Sequence, residues 1–364
     1  MRPSVWTLFP LIFSLAAPPS LGVAATECKT YTHRREWRLM SEAQREDWIS
    51  SIKCLMSFEY ERLSFDNTGG RLSTMQSIYD EFAFAHDQLN DFVHMNAYFL
   101  SWRAFLHIFD TKLRDTCGYK GPTPYWDWSL DVQDLFSAPV FDPHPTHGLG
   151  TNGNCLTADC RVHDGAFGPS PLSEAPAPIF AHPIPHSLRR NLTLYFGEKP
   201  DEKPFNHSLS QTHIANVTQR STGDFFKFQY SMTQIHNDVH NFVGGDLAGT
   251  CPDQYQLVQG VDCATGFTPY DPLFWLHHGN LDRLYSNWQN ADPLNFNSFS
   301  GITLHPKNIS DTRFTRNATA GHILLFDNLS APKHVNEVGF PTRWFGERRL
   351  EGQGGGRKKG RVVT

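Results

Sequence analysis

Two histidines four residues apart constrain this chain more than any other feature. They are His236 and His240, in Gln234-Ile-His-Asn-Asp-Val-His240. Residues at i and i+4 share one face of an α-helix, so both imidazoles can reach one ion. A second histidine-bearing stretch lies downstream, Asp271-Pro-Leu-Phe-Trp-Leu-His-His278-Gly-Asn-Leu-Asp282. His278 on that later helix completes a trigonal set of imidazoles, which suits copper, zinc, iron or nickel. Neighbouring residues are turned by about 100° around a helix, so His277 is expected to point away from the ion. Asp282 stands one turn after His278, where a carboxylate can orient a ligating ring.

Upstream stand His86-Asp-Gln-Leu-Asn-Asp-Phe-Val-His94 and then Tyr98-Phe-Leu-Ser-Trp102-Arg103. At these motifs the chain resembles the tyrosinase family, the binuclear copper proteins that include catechol oxidases and haemocyanins. In that family three histidines hold each of two coppers, and dioxygen binds between them. The downstream pattern Asp-Pro-x-Phe-x-x-x-His-x-x-x-Asp matches in full. The resemblance therefore makes His236, His240 and His278 the ligands of one copper, and His86 and His94 two ligands of the other.

The sixth ligand does not match. The family reads Phe-Leu-x-Trp-His-Arg, and this chain reads Phe99-Leu-Ser-Trp102-Arg103, as if one residue had been removed after Trp102. Three readings stay open. A displaced splice junction accounts for the gap and the protein keeps all six ligands. Or His107, one turn beyond Arg103, substitutes. Or the first site lacks a ligand and the protein holds one metal.

The resemblance implies a copper-dependent oxidase that converts phenols or catechols to o-quinones with dioxygen. Two copper ions are expected if the missing histidine is restored or replaced. The substrate is expected to be a small phenol or a phenol-containing peptide of secondary-metabolite biosynthesis. Asn237 matches an asparagine that family members use, with a nearby glutamate, to position a water, and it is the candidate catalytic residue. No such glutamate is evident here, and Asp224 is the nearest acid upstream. This weighs against monophenol hydroxylation more than against catechol oxidation. Two alternatives remain: a zinc-dependent, non-oxidative lyase on the same scaffold, and a metal-binding protein without turnover.

The N-terminus reads as a secretory signal over residues 1–25. Arg2 precedes the apolar run Leu8-Phe-Pro-Leu-Ile-Phe-Ser-Leu-Ala-Ala, and Val23-Ala-Ala25 is an acceptable cleavage site. The run is too short to span a bilayer, so no membrane partner is expected once it is removed. Sequons at Asn191, Asn206, Asn216, Asn308, Asn317 and Asn328 agree with a secreted, N-glycosylated protein. So do the 7 cysteines. Cys155–Cys160, Cys251–Cys263 and Cys28–Cys54 are plausible pairs, which leaves Cys117 over. A net charge of −5 with no basic block before the tail gives nothing for nucleic acid to bind.

A mainly α fold follows: an antiparallel four-helix bundle with the metal site in its core and long loops around it. Helices are expected after an N-cap at Ser41, over Tyr79–Phe92, Trp102–Arg114, Phe225–Val243 and Phe274–Asn290, with Gly244 closing the fourth. Trp48, Ile52 and Leu55 form the apolar face of the first. Thr123-Pro-Tyr-Trp-Asp-Trp128 is expected to pack the bundle. Residues 136–222 lose periodicity and read as loop, stapled by Cys155 and Cys160. Their histidines, His144, His147, His163, His182, His186, His207 and His213, show no matched i, i+4 pairing. One domain is expected over residues 26–345, followed by a disordered basic tail over 346–364.

Overall fold

The computed structural model describes residues 33–61, 63, 77–95, 98–156, 160–168, 179–181, 184–195, 204–249, 265–301 and 318–339. The expected signal, Cys28, Cys251, Cys263, His182, Asn308, Asn317 and the tail lie outside them.

The first helix, α1 (Glu42–Ser57), starts as its sequence dictates. The Ser41 hydroxyl accepts from the Gln44 N–H, and the Gln44 side chain accepts from the Ser41 N–H. This reciprocal cap satisfies two otherwise orphaned donors. Trp48, Ile52 and Leu55 are buried on one face. The chain continues through α2 (Ile78–Met95) and α3 (Tyr98–Cys117). A short hairpin of β1 (Ile179–Ala181) and β2 (Ile184–His186) sets Phe180 opposite Pro185. Then come α4 (Phe205–Ser208), α5 (Gln211–Arg220), α6 (Phe225–Val243) and α7 (Leu273–Ala291). After α8 (Pro293–Phe296), β3 (Ile323–Leu324) pairs with β4 (Lys333–His334), and α9 (Val335–Val338) follows.

Ring contacts give the direction of each helix pair. Tyr79 meets Phe109 and His86 meets Trp102, so α2 and α3 run antiparallel. Phe99 meets Tyr285 and Phe109 stacks on Trp275 at 3.5 Å, so α3 and α7 do too. Phe225 meets Trp288 and His236 meets His277, which sets α6 antiparallel to α7. The fold is thus mainly α, and α2, α3, α6 and α7 form the expected antiparallel bundle.

Two glycines permit the close approaches that frame the site. Gly244 ends α6 with φ 65°, in the left-handed region that costs glycine nothing. Gly279 lets α7 lie against the segment before Trp128, because a Cβ there would stand 2.8 Å from the Pro124 carbonyl oxygen. The Trp126 N–H donates to the Leu276 carbonyl at 3.1 Å, and Trp126 and Trp128 are fully buried. The Thr123–Trp128 stretch therefore packs the bundle, as expected.

Two expectations need correction. Cys117 is not left over: it is bonded to Cys54, with Cα atoms 6.0 Å apart. The reason is the packing of α1 beside α3, which brings the last turns of both helices together; sequence proximity favours Cys28 but does not decide the pairing. Cys155–Cys160 forms as expected. Residues 136–222 also hold more than loop, since α5 lies there. Of its few apolar residues only Ile214 is buried, too thin a stripe to show in the sequence.

Candidate metal centre

The centre is built where α6 crosses α7. Helical spacing puts His236 and His240 on the inner face of α6, with ring centroids 4.2 Å apart. Opposite them α7 presents His277 and His278, both fully buried. One donor atom from each of the four lies within 4.8 Å of the others. Among the described residues, no other group of three or more His, Cys, Asp or Glu converges in this way.

Hydrogen bonds set which nitrogen faces inward. His236 Nδ1 lies 2.9 Å from Asn237 Oδ1, and His240 Nδ1 is bonded to the Leu247 carbonyl. An oxygen acceptor at Nδ1 keeps the proton there and turns the Nε2 lone pair toward the cluster. Both ring nitrogens of His277 and of His278 are buried with no hydrogen-bond partner among the described residues. Buried polar atoms are normally satisfied, so these orphans ask for an electrophile. Burial lowers the pKa of His277 well below its ordinary value, with His240 adding to the effect. Burial does the same to His278, reinforced by His277, His236, His240 and His86. All four residues therefore fit a metal ion: imidazoles inside the protein, converging, with burial disfavouring the charged form of His277 and His278.

The walls are aromatic. The Trp102 indole lies against His278 with centroids 3.9 Å apart, and Phe274 lies at 4.3 Å. Trp128 meets His277 at 5.0 Å. On the α2 side, His86 is buried and packs on Trp102 at 4.9 Å and on Phe274 at 5.2 Å. His94 falls in the last turn of α2. His107 is half-buried on α3 and does not join the cluster.

Two placements differ from the sequence reading, those of His277 and Asp282. His277, expected to point away, lies as close to His240 (5.0 Å) as to His236 (5.0 Å), whereas His278 is 6.1 Å from His240. The 100° between neighbours does not exclude it, because α6 crosses over both side chains. Asp282 does not orient a ring; its Oδ1 accepts from Arg103 Nε at 2.7 Å. Arg103 also donates to Gln289 and lies over the Tyr285 ring. Asp224, the nearest acid before His236, caps the start of α6 by accepting from the Lys227 N–H. That is twelve residues and roughly 18 Å along the helix from His236.

The remaining important residue, Arg190, carried no signal in the sequence. It grips Asp271 at the start of α7 through two bonds of 2.8 Å, with both side chains fully buried. Among the described residues, no mid-chain histidine joins the centre. His144 and His147 stack on each other at 3.5 Å, and His207 and His213 lie 5.9 Å apart.

A helical bundle with histidines converging from antiparallel helices defines a protein with a histidine metal-binding centre. The common central domain of tyrosinase matches residues 76–291, and the chain belongs to the tyrosinase family. It is 32% identical over 274 residues to tyrosinase-like protein phomQ1' of Diaporthe leptostromiformis, covering 74% of this chain and 66% of that one. It thus spans just under two thirds of that relative's length. It is 27% identical over 360 residues to N-acetyl-6-hydroxytryptophan oxidase ivoB of Emericella nidulans, covering 84% of this chain and 88% of that one. A polyphenol oxidase variant from Thermothelomyces thermophila shares the fold, with a TM-score of 0.60, 20% identity and 88% of both chains covered.

Proposed function

We propose that this protein is a copper-dependent oxidase of phenolic substrates, favouring catechols. It removes two electrons and two protons from the diol to give the o-quinone, and dioxygen accepts them. The observation that carries this reading is the buried imidazole cluster of His236, His240, His277 and His278, with Nδ1 acceptors at the α6 pair. Copper bound there supplies the redox chemistry. The chain supplies neutral donors, an aromatic wall of Trp102, Phe274 and Trp128, and exclusion of bulk water.

By resemblance His236, His240 and His278 hold copper, and His86 and His94 stand at positions where the family holds its second ion. Asn237 acts through His236, whose ring its carboxamide orients. The distance of Asp224 from His236 removes the only nearby upstream acid that could act with Asn237 on a water. The chain therefore has less means to take a monophenol proton than to oxidise a diol.

The relatives include a hydroxytryptophan oxidase and tyrosinase ustQ of Aspergillus flavus. They support a phenol or hydroxyindole of secondary metabolism as the substrate class. Residues 26–345 form the catalytic domain in this reading, after a secretory signal and before a basic tail. Exposed Asn191, Asn216 and Asn328 offer glycosylation sites in the secretory pathway. No described helix is long and apolar enough to cross a membrane.

The test is o-quinone formation and oxygen uptake by the purified, copper-loaded chain with a catechol, a monophenol and a hydroxyindole. Catechol turnover above monophenol turnover is the expected result. No oxidation of any of the three overturns the reading. Turnover by the zinc-loaded chain without oxygen uptake overturns it in favour of a lyase.

A further inference from the structure

The residues on the two sides of Trp102 do not fit a metal equally well. On the α7 side, four imidazoles converge. On the α2 side, the space between His86 and His278 is taken by the Trp102 indole, 4.9 Å from one ring and 3.9 Å from the other, with Phe274 beside it. The next residue, Arg103, is committed to Asp282 and Gln289 and offers no donor. Among the described residues, the hollow beside His86 is lined by Leu89, Phe105, Leu325 and Phe326, with the Ser101 hydroxyl its one further polar group and no second imidazole or carboxylate. Among the described residues, a second ion between His86 and His278 would have to displace an aromatic side chain that is 2% exposed.

We infer that this chain holds a single metal ion in a four-histidine centre, with His277 as the fourth ligand beside His236, His240 and His278. The inference rests on the copper reading above for the identity of the ion, but not for the geometry of the site. His277 is the discriminating residue. Its ring is nearer to His240 than that of His278 is, by 5.0 against 6.1 Å. Both its nitrogens are buried with no hydrogen-bond partner among the described residues. An ion with nitrogen ligands at about 2.0–2.1 Å sets tetrahedral donors roughly 3.4 Å apart. Donors already within 4.8 Å reach that by small rotations of the rings. His86 is then a core histidine packed between Trp102 and Phe274.

The experiment is metal analysis and electron paramagnetic resonance of the full chain loaded with cupric ion. An isolated cupric ion is paramagnetic and shows coupling to its nitrogen ligands, whereas a coupled cupric pair is silent. The expected result is one copper per chain, with a spin count equal to the copper count. His277→Gln should weaken copper binding at least tenfold and change the nitrogen coupling, and His86→Gln should leave the copper content at one per chain. Thermal unfolding of the metal-free variants checks that each is folded. A variant that unfolds is replaced by His277→Phe, which keeps the ring volume and must also lose affinity.

Two coppers per chain or a silent spectrum overturn the inference, and so does full affinity with an unchanged spectrum in folded His277→Gln. Failure of the function separates cleanly from failure of the site. One ion per chain with no oxidation sinks the oxidase and keeps the centre, while two coppers with quinone formation do the reverse.

Discussion

Arg190 and Asp271 form a bidentate ion pair with no solvent exposure, between residues 81 apart in sequence. Arg190 also donates to the carbonyls of Leu149 and Gly150. Asp271 in turn accepts from the Leu273 N–H at 2.9 Å, capping the first turn of α7. One guanidinium therefore ties the stapled loop region to the helix that carries His277 and His278. Breaking a buried pair from one side leaves a desolvated charge, which costs about 3–5 kcal/mol. Arg190→Leu should lower stability by that order in urea unfolding, and the double variant with Asp271→Leu should recover a large part of it. A single variant that unfolds at the wild-type midpoint would refute this account.

The Cys54–Cys117 bond closes a loop of sequence separation 63 around α2 and most of α3. In the loop-entropy view a closure of that length is worth about 4 kcal/mol. Cys117→Ser should lose stability on that scale, while Cys160→Ser should lose less because its loop spans only 5 residues. Unfolding midpoints of the two variants, compared under oxidising conditions, test the order.

How far the sequence reached depends on the range of the interaction. The helix of His236 and His240 was readable because period and cap are local: Phe225 to Val243, with Gly244 at the end, is where α6 lies. Ser41 capping α1 was readable for the same reason. The partner of Cys117 was not, since it depends on how α1 and α3 pack. Arg190 was not, because nothing around it marks a residue that reaches Asp271. His277 was misplaced by a rule that holds for one helix alone: 100° separates its direction from that of His278, but the crossing of α6 decides what each meets. Asp282 matched a signature, yet its carboxylate serves Arg103 rather than an imidazole.

Acid should destabilise the metal-free protein through His277 and His278. Burial lowers both pKa values well below the ordinary 6.5. Above that value both residues are neutral in the folded and unfolded chain and contribute no slope. Below it the unfolded chain takes up protons that the folded chain refuses, so stability falls as pH falls toward the lowered folded values. Each fully buried histidine adds up to about 1.4 kcal/mol per pH unit in that window. His277→Phe should remove one such contribution and flatten the slope between pH ~7 and ~5. Denaturant midpoints across that range measure it, and an unchanged slope would show that His277 is not buried neutral.

Restoring the gap after Trp102 is the most direct test of what the missing residue does. The part of α3 after the gap is anchored: Arg103 to Asp282 and Gln289, Phe105 and Phe109 to Trp275. Inserting a histidine between Trp102 and Arg103 turns the preceding residues by about 100° relative to that anchor. The indole should then leave the space between His86 and His278, and the new imidazole should enter beside it. Copper content is expected to rise from one toward two per chain, the cupric spectrum to lose intensity as the ions couple, and catechol oxidation to increase. Trp102→Ala alone also opens the space, at a cost of roughly 3–5 kcal/mol for the lost ring. It supplies no donor, so its copper content should stay at one. Two coppers in the Trp102→Ala variant would mean that the indole alone keeps the second ion out. No rise in the insertion variant would mean that the α2 side cannot be rebuilt as a metal site by one histidine.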